Sequence, residues 1–153
     1  MKKLILIVAA VLTFNTLAAQ QTNDKGLYVD SDGELFNGII SSHHEDVKFK
    51  ITIKNGVVEG EAEYFYASGK LMETGIFKEG KKDNKWIRYN ENSTIAAIGF
   101  YALGKKTGQW LVYDENGKKR FEMNFSNSEK IGLWTNWDEN GIVVNTKNYN
   151  ISN

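Results

Sequence analysis

A 24-residue period runs through most of this chain and governs what it can fold into. Gly60-Glu-Ala-Glu-Tyr-Phe65, Asn84-Lys-Trp86-Ile-Arg-Tyr89, Gly108-Gln-Trp110-Leu-Val-Tyr113 and Gly132-Leu-Trp134-Thr-Asn-Trp137 align without gaps. Phe77, Tyr101, Phe125 and Tyr149 fall in the same register, as do Gly56, Gly80 and Gly104. Self-similarity at a fixed period of this size marks a stacked array, in which each unit buries its apolar side against the next.

Each unit reads as strand, tight turn, strand, tight turn. Gln109–Tyr113 is rich in β-formers. It runs into Asp114-Glu-Asn-Gly117, where Asp starts a type I turn and Gly closes it in the left-handed conformation. Asp138-Glu-Asn-Gly141 repeats that turn, and Ala67-Ser-Gly69 and Asp30-Ser-Asp-Gly33 are related. Asn90-Glu-Asn-Ser93 lacks the glycine and is expected to be strained or looser. The returning segment, Lys118 to Phe125, alternates apolar with polar. Lys78-Glu-Gly-Lys81, Leu103-Gly-Lys105 and Asn127-Ser-Glu129 are equally short, and Asn55-Gly56 is the strongest two-residue hairpin signal. Short turns at both ends make consecutive strands antiparallel neighbours. The expected fold is all-β: an elongated antiparallel meander of about five hairpins, with no helix after the leader. Residues 26–50 read as an atypical capping unit carrying an insertion.

Strict alternation also assigns faces. Pairing Tyr113 with Lys119 places Leu111, Tyr113, Phe121, Met123 and Phe125 together, with Trp110 and Val112 opposite, beside Arg120 and Glu122. The same rule puts Trp86 on a face with Ile98 and Phe100.

The first residues form a different pattern. Lys2 and Lys3 precede an apolar run from Leu4 to Phe14, followed by Ala18, Ala19 and a polar stretch. This is the order of a secretory leader, with cleavage expected after Ala19. The run is shorter than the roughly 20 apolar residues that span a bilayer, and no later run is long enough. The expected organisation is a leader over 1–19, a polar segment over 20–25, a repeat domain over 26–149 and a tail over 150–153. The destination is periplasmic or extracellular.

The whole chain has 19 basic and 19 acidic side chains. Losing Lys2 and Lys3 with the leader makes that 17 against 19. A near-neutral surface exerts no broad pull on nucleic acid. With no cysteine, disulfides, thiolate catalysis and thiolate metal sites are excluded.

Few residues suggest chemistry. His43-His44-Glu45-Asp46 is the one cluster that invites a metal, but adjacent side chains on an extended strand point to opposite faces; it reads as an exposed turn. Ser41 or Ser42 beside these histidines does not make a triad without an orienting acid and the right geometry. Asp30-Ser-Asp-Gly33-Glu34 opens like a calcium loop, yet Ile39 and Ile40 stand where ligands belong, so turn chemistry explains it. No catalytic, cofactor or metal residue is assigned. The remaining candidates are aromatic: Trp86, Trp110 and Trp134, expected along one face, with Tyr89 and Tyr113. Rings so spaced either pack on neighbouring hairpins or present a track for a protein, peptide or glycan.

Lys106-Thr-Gly-Gln-Trp-Leu-Val-Tyr-Asp-Glu-Asn-Gly-Lys118 and the stretch from Gly132 to Gly141 resemble the MORN repeat, in the bacterial variant of the YwqK-type antitoxin family. The resemblance spans about residues 26–149 and departs from the pattern at Ala62, Asn84, Ser93 and Ser128. It implies a twisted sheet of hairpins acting as an interaction or scaffold module, for which membrane-lipid association has also been described, and it brings no catalytic motif. The expected function is that of an exported, non-enzymatic protein-interaction module, in its narrowest form antitoxin- or immunity-like. The alternatives are a binder of glycan or envelope surface through the aromatic track, and a hydrolase using carboxylates that the sequence does not pair.

Overall fold

The computed structural model describes residues 21–149. The leader expected over 1–19 and the tail over 150–153 lie outside them. The described residues form twelve strands: β1 (Gln21–Thr22), β2 (Tyr28–Val29), β3 (Gly38–His44), β4 (Val47–Lys54), β5 (Val57–Phe65), β6 (Leu71–Lys78), β7 (Lys81–Tyr89), β8 (Ile95–Ala102), β9 (Lys105–Tyr113), β10 (Lys119–Ser126), β11 (Glu129–Trp137) and β12 (Val143–Tyr149). β3 to β12 make one open antiparallel sheet in chain order, the expected meander of five hairpins.

Two kinds of turn alternate. At one edge of the ribbon, two-residue turns put both residues at positive φ: Asn55 and Gly56, Glu79 and Gly80, Leu103 and Gly104, Asn127 and Ser128. These match the right-handed twist of the flanking strands. Each also binds the unit before it, as Gly80, Gly104 and Ser128 donate their N–H to the carbonyls of Val58, Lys82 and Lys106 at 2.9, 2.7 and 2.8 Å. At the other edge the longer turns close as expected, with Gly117 N–H donating to Asp114 O at 2.9 Å. The Asp114 carboxylate accepts from the N–H groups of Lys118 and Asn116, which holds its carboxyl below the usual carboxylate range. Lys70 and Lys118 reach to the carbonyls of Glu91 and Glu139 in the next turn at 2.7 and 2.8 Å. The lysine after the turn glycine therefore ties successive units.

The turn without glycine is strained rather than loose. Ser93 takes φ 69°, yet its N–H still donates to Asn90 O at 2.8 Å.

Strict alternation fails because each unit carries two irregularities. The first lies at Gly60, Asn84, Gly108 and Gly132, all at positive φ, beside register shifts in the pairing with the preceding strand. Asn84 is tolerated because asparagine visits the left-handed region more readily than most residues. The second is one extra residue in the returning strand. In β10 it is Arg120: Lys119 pairs with Tyr113, but Phe121 pairs with Val112 and Met123 with Trp110. A one-residue slip reverses every side chain beyond it.

The expected faces are corrected accordingly. Trp110 and Val112 lie with Phe121, Met123 and Phe125, while Leu111, Tyr113 and Glu122 lie opposite. Trp86 pairs with Gly99 and shares its face with Tyr101; Ile98 and Phe100 are on the other side. The sheet thus has a Trp face and a Tyr face.

The core sits at the N-terminal end of the Trp face. Ile51, Ile53, Ala62 and Trp86 are buried together, with Tyr28 and Phe36 packed on them. That cap is pinned by backbone: Tyr28 N–H donates to Gly56 O at 2.8 Å, Phe36 N–H to Tyr28 O at 3.0 Å and Gly56 N–H to Phe36 O at 2.9 Å. The polar segment 20–25 contributes β1, which pairs with β2.

A side chain held in the left-handed region costs roughly 1–2 kcal/mol. Ser93→Gly is therefore expected to stabilise the protein by about 1 kcal/mol, read as a higher urea midpoint with an unchanged slope.

Candidate functional site

The three tryptophans occupy equivalent places. Each stands two residues beyond the left-handed position of its strand and leans back over the strand before. Trp86, Trp110 and Trp134 donate their indole N–H to the carbonyls of Ile76, Phe100 and Asn124, each at 3.1 Å. Beneath Trp86 and Trp110 are Gly75 and Gly99, where an added Cβ would meet ring atoms at 2.2 and 2.6 Å. Above the rings stand lysines: Lys82 lies 3.7 Å from the Trp86 ring centre, Lys106 4.3 Å from Trp110 and Lys130 4.7 Å from Trp134. This pairing of cation and ring repeats every 24 residues.

The rings also touch one another. Trp86 meets Phe77 edge-on at 5.2 Å, Tyr101 meets Trp110 at 5.1 Å, Phe125 meets Trp134 at 5.1 Å and Trp134 meets Tyr149 at 4.9 Å. Tyr64 and Phe49 extend the line to β4. Edge-to-face pairs add about 0.5–1.5 kcal/mol each beyond area burial. Trp86 is 3% exposed, whereas Trp110 and Trp134 are half-buried.

The candidates are divided between the faces. Trp86, Trp110 and Trp134 do share one face, but Tyr89 and Tyr113 project from the other. Phe65 and Trp137 occupy the same repeat position as these tyrosines and complete a second column that was not singled out, although its 24-residue spacing was visible. Its rings are half-buried, and Lys119 lies 4.2 Å from the Trp137 ring centre.

His43 and His44 are exposed and end β3 rather than forming the turn, which is Glu45-Asp46. Among the described residues no three His, Asp or Glu side chains group as metal ligands do. Asp30 Oδ1 accepts from the N–H groups of Asp32 and Glu34 at 3.0 Å, so its loop is a turn.

Charge differs along the Trp face. Near the core Lys82 pairs with Glu73 at 2.7 Å. Burial, then Glu73 and Tyr28, push the Tyr64 hydroxyl up to about 12. Towards β12 the face opens into a shallow pocket of about 150 Å³, with Phe121, Met123, Trp134 and Tyr149 on its apolar side and Asn136, Asn145 and Lys147 on its polar side.

Two expectations follow. Gly75→Ala forces the Trp86 ring off its seat and destabilises the protein by roughly 1–3 kcal/mol, measured by urea unfolding. A hydroxyl whose folded pKa exceeds its unfolded value lends stability in full below that unfolded value, and loses it as pH rises through the folded one. Stability therefore falls from pH 10 towards 12, and Tyr64→Phe flattens that fall in midpoints measured across the range.

Comparison with known proteins agrees with this repeat geometry. No curated protein matches the chain. The MORN repeat variant matches residues 58–79, 106–127 and 130–150. The hairpin between these matches, β7–β8, has the same pairing but carries Asn84 and Ser93 in place of glycines. Over those three segments the chain is similar to the MORN repeat variant, in the hairpins β5–β6, β9–β10 and β11–β12.

Proposed function

We propose that this chain is an exported, non-enzymatic interaction module that holds a protein partner on its sheet. The observation that carries the reading is repetition. Successive hairpins present equivalent rings and lysines, and among the described residues no polar or charged side chain is buried. Catalysis by oriented acids, bases or dipoles relies on such water-excluded polar groups. A sheet of near-equivalent units offers instead a broad surface for contacts. Similarity to the MORN repeat variant supports this, since repeats of that kind serve as protein- or membrane-binding modules. Export rests on the leader pattern of residues 1–19. The narrower antitoxin- or immunity-like role requires a toxin that meets the protein outside the cytoplasm.

The second reading, glycan binding, is favoured by the Tyr face rather than the tryptophans. The indole N–H groups of the Trp face are engaged by backbone carbonyls and its rings by one another. The Phe65, Tyr89, Tyr113 and Trp137 rings recur every second strand, about 9.6 Å apart.

The purified mature protein, used as bait in envelope and culture fractions, is expected to retain a protein that re-forms a complex of fixed stoichiometry from pure components. Sedimentation with purified cell wall, lost in Tyr89→Ala/Tyr113→Ala, in the absence of any reconstituted protein complex would favour glycan. Neither complex nor sedimentation would sink both readings.

A further inference from the structure

The Trp face is electrically lopsided. At the core end a carboxylate is present: Glu73 pairs with Lys82 and lies across from Arg88 on the same face. The repeat position that holds Glu73 in β6 holds Ala97 in β8 and Phe121 in β10. Lys106, Lys130 and Lys147 stand 4.3, 4.7 and 4.9 Å from the ring centres of Trp110, Trp134 and Tyr149. None of the three makes an ion pair among the described residues. The acids of β10 and β11, Glu122 and Glu129, lie on the Tyr face, where Glu122 pairs with Lys119 at 2.8 Å. From β9 to β12 the Trp face therefore combines rings and ammonium groups with no carboxylate.

The geometry points to this half of the Trp face as the docking surface for an extended acidic polypeptide segment, its carboxylates on Lys106, Lys130 and Lys147 and one apolar side chain in the pocket between Phe121, Met123, Trp134 and Tyr149. It rests on the interaction-module reading and names that module's partner. Charge complementarity is the main argument: each ammonium stands against a ring and makes no ion pair among the described residues, so a carboxylate can complete its partners. Spacing is the second. Lys106 and Lys130 stand two strands apart, about 9.6 Å. Side chains three residues apart on a polyproline-II segment recur at about 9.3 Å. Phe121, 42% exposed, and Met123 supply the apolar contact. The pocket between them, of about 150 Å³, is shallow and open to solvent. A continuous polyanion fits less well, because acids equal bases over the whole chain.

The test is a tryptophan-fluorescence titration of the mature protein with a peptide of four Glu-Pro-Leu repeats at low ionic strength. Saturable binding is expected. It should weaken about tenfold or more in Lys106→Gln/Lys130→Gln/Lys147→Gln, weaken with added salt, and fall similarly when the peptide glutamates become glutamines. Lys119→Gln, on the Tyr face, should leave the affinity unchanged. The circular dichroism spectrum and Tm establish that each variant is folded, and exposed Lys130→Gln alone serves if the triple variant is not. Equal binding of the glutamine peptide, or undiminished binding by a folded lysine variant, overturns the inference. So does binding to phosphatidylserine vesicles with none to the peptide. A protein that re-forms its complex with a captured partner but ignores the peptide defeats this inference alone; one that forms no complex defeats the reading beneath it.

Discussion

Trp86 and Trp110 are each held at three points, and the sheet depends on that. Each indole N–H is spent on a carbonyl of the preceding strand, each ring stands over the backbone of that strand, and a lysine covers it from above. The close approach beneath Trp86 and Trp110 requires glycine at 75 and 99, because any Cβ would occupy the ring's volume. Where Met123 stands in place of that glycine, the Trp134 end of the ladder lies beside an open pocket.

This arrangement answers a problem posed by a single-layer sheet. A sheet normally buries one face against a second layer. Here the rings, packed edge to face across neighbouring strands, form a thin second layer, and the small N-terminal cap covers the end where Ile51, Ile53 and Ala62 are buried. Hydrogen bonds from turn to turn, two kinds at two edges, keep the hairpins in step. Stability of this kind accumulates from nearest-neighbour terms. The terminal strands, without a second neighbour, leave Val143 and Val144 exposed.

The repeat is imperfect in its charges. Units sharing one geometry differ in charge: Glu73 balances Lys82, whereas its counterparts, Ala97 and Phe121, leave Lys106 and Lys130 without a carboxylate. The core end of the Trp face is thus covered and sets Glu73 among Lys82 and Arg88, and the β9–β12 end is cationic and aromatic without a strand carboxylate. The Tyr face carries its own column, in which Lys119 is shared between Glu122 and the Trp137 ring.

Strand positions, both turn types and the meander were legible in the sequence, because they are local. Asn55-Gly56 and Asp114-Glu-Asn-Gly117 specify their own backbone through left-handed residues and an aspartate that binds nearby N–H groups. The alignment of Trp86, Trp110 and Trp134 followed from the period alone. The facing of these side chains did not. An extra residue such as Arg120 looks like any other strand residue, and whether it bulges is decided by which partner leaves the large rings together. Face assignment depends on the parity of the register, and a single bulge reverses it. Parity is settled only when two strands meet, which is why tertiary structure alone united Trp110 with Phe125, separated Tyr113 from both, and set Lys106 and Lys130 above the rings.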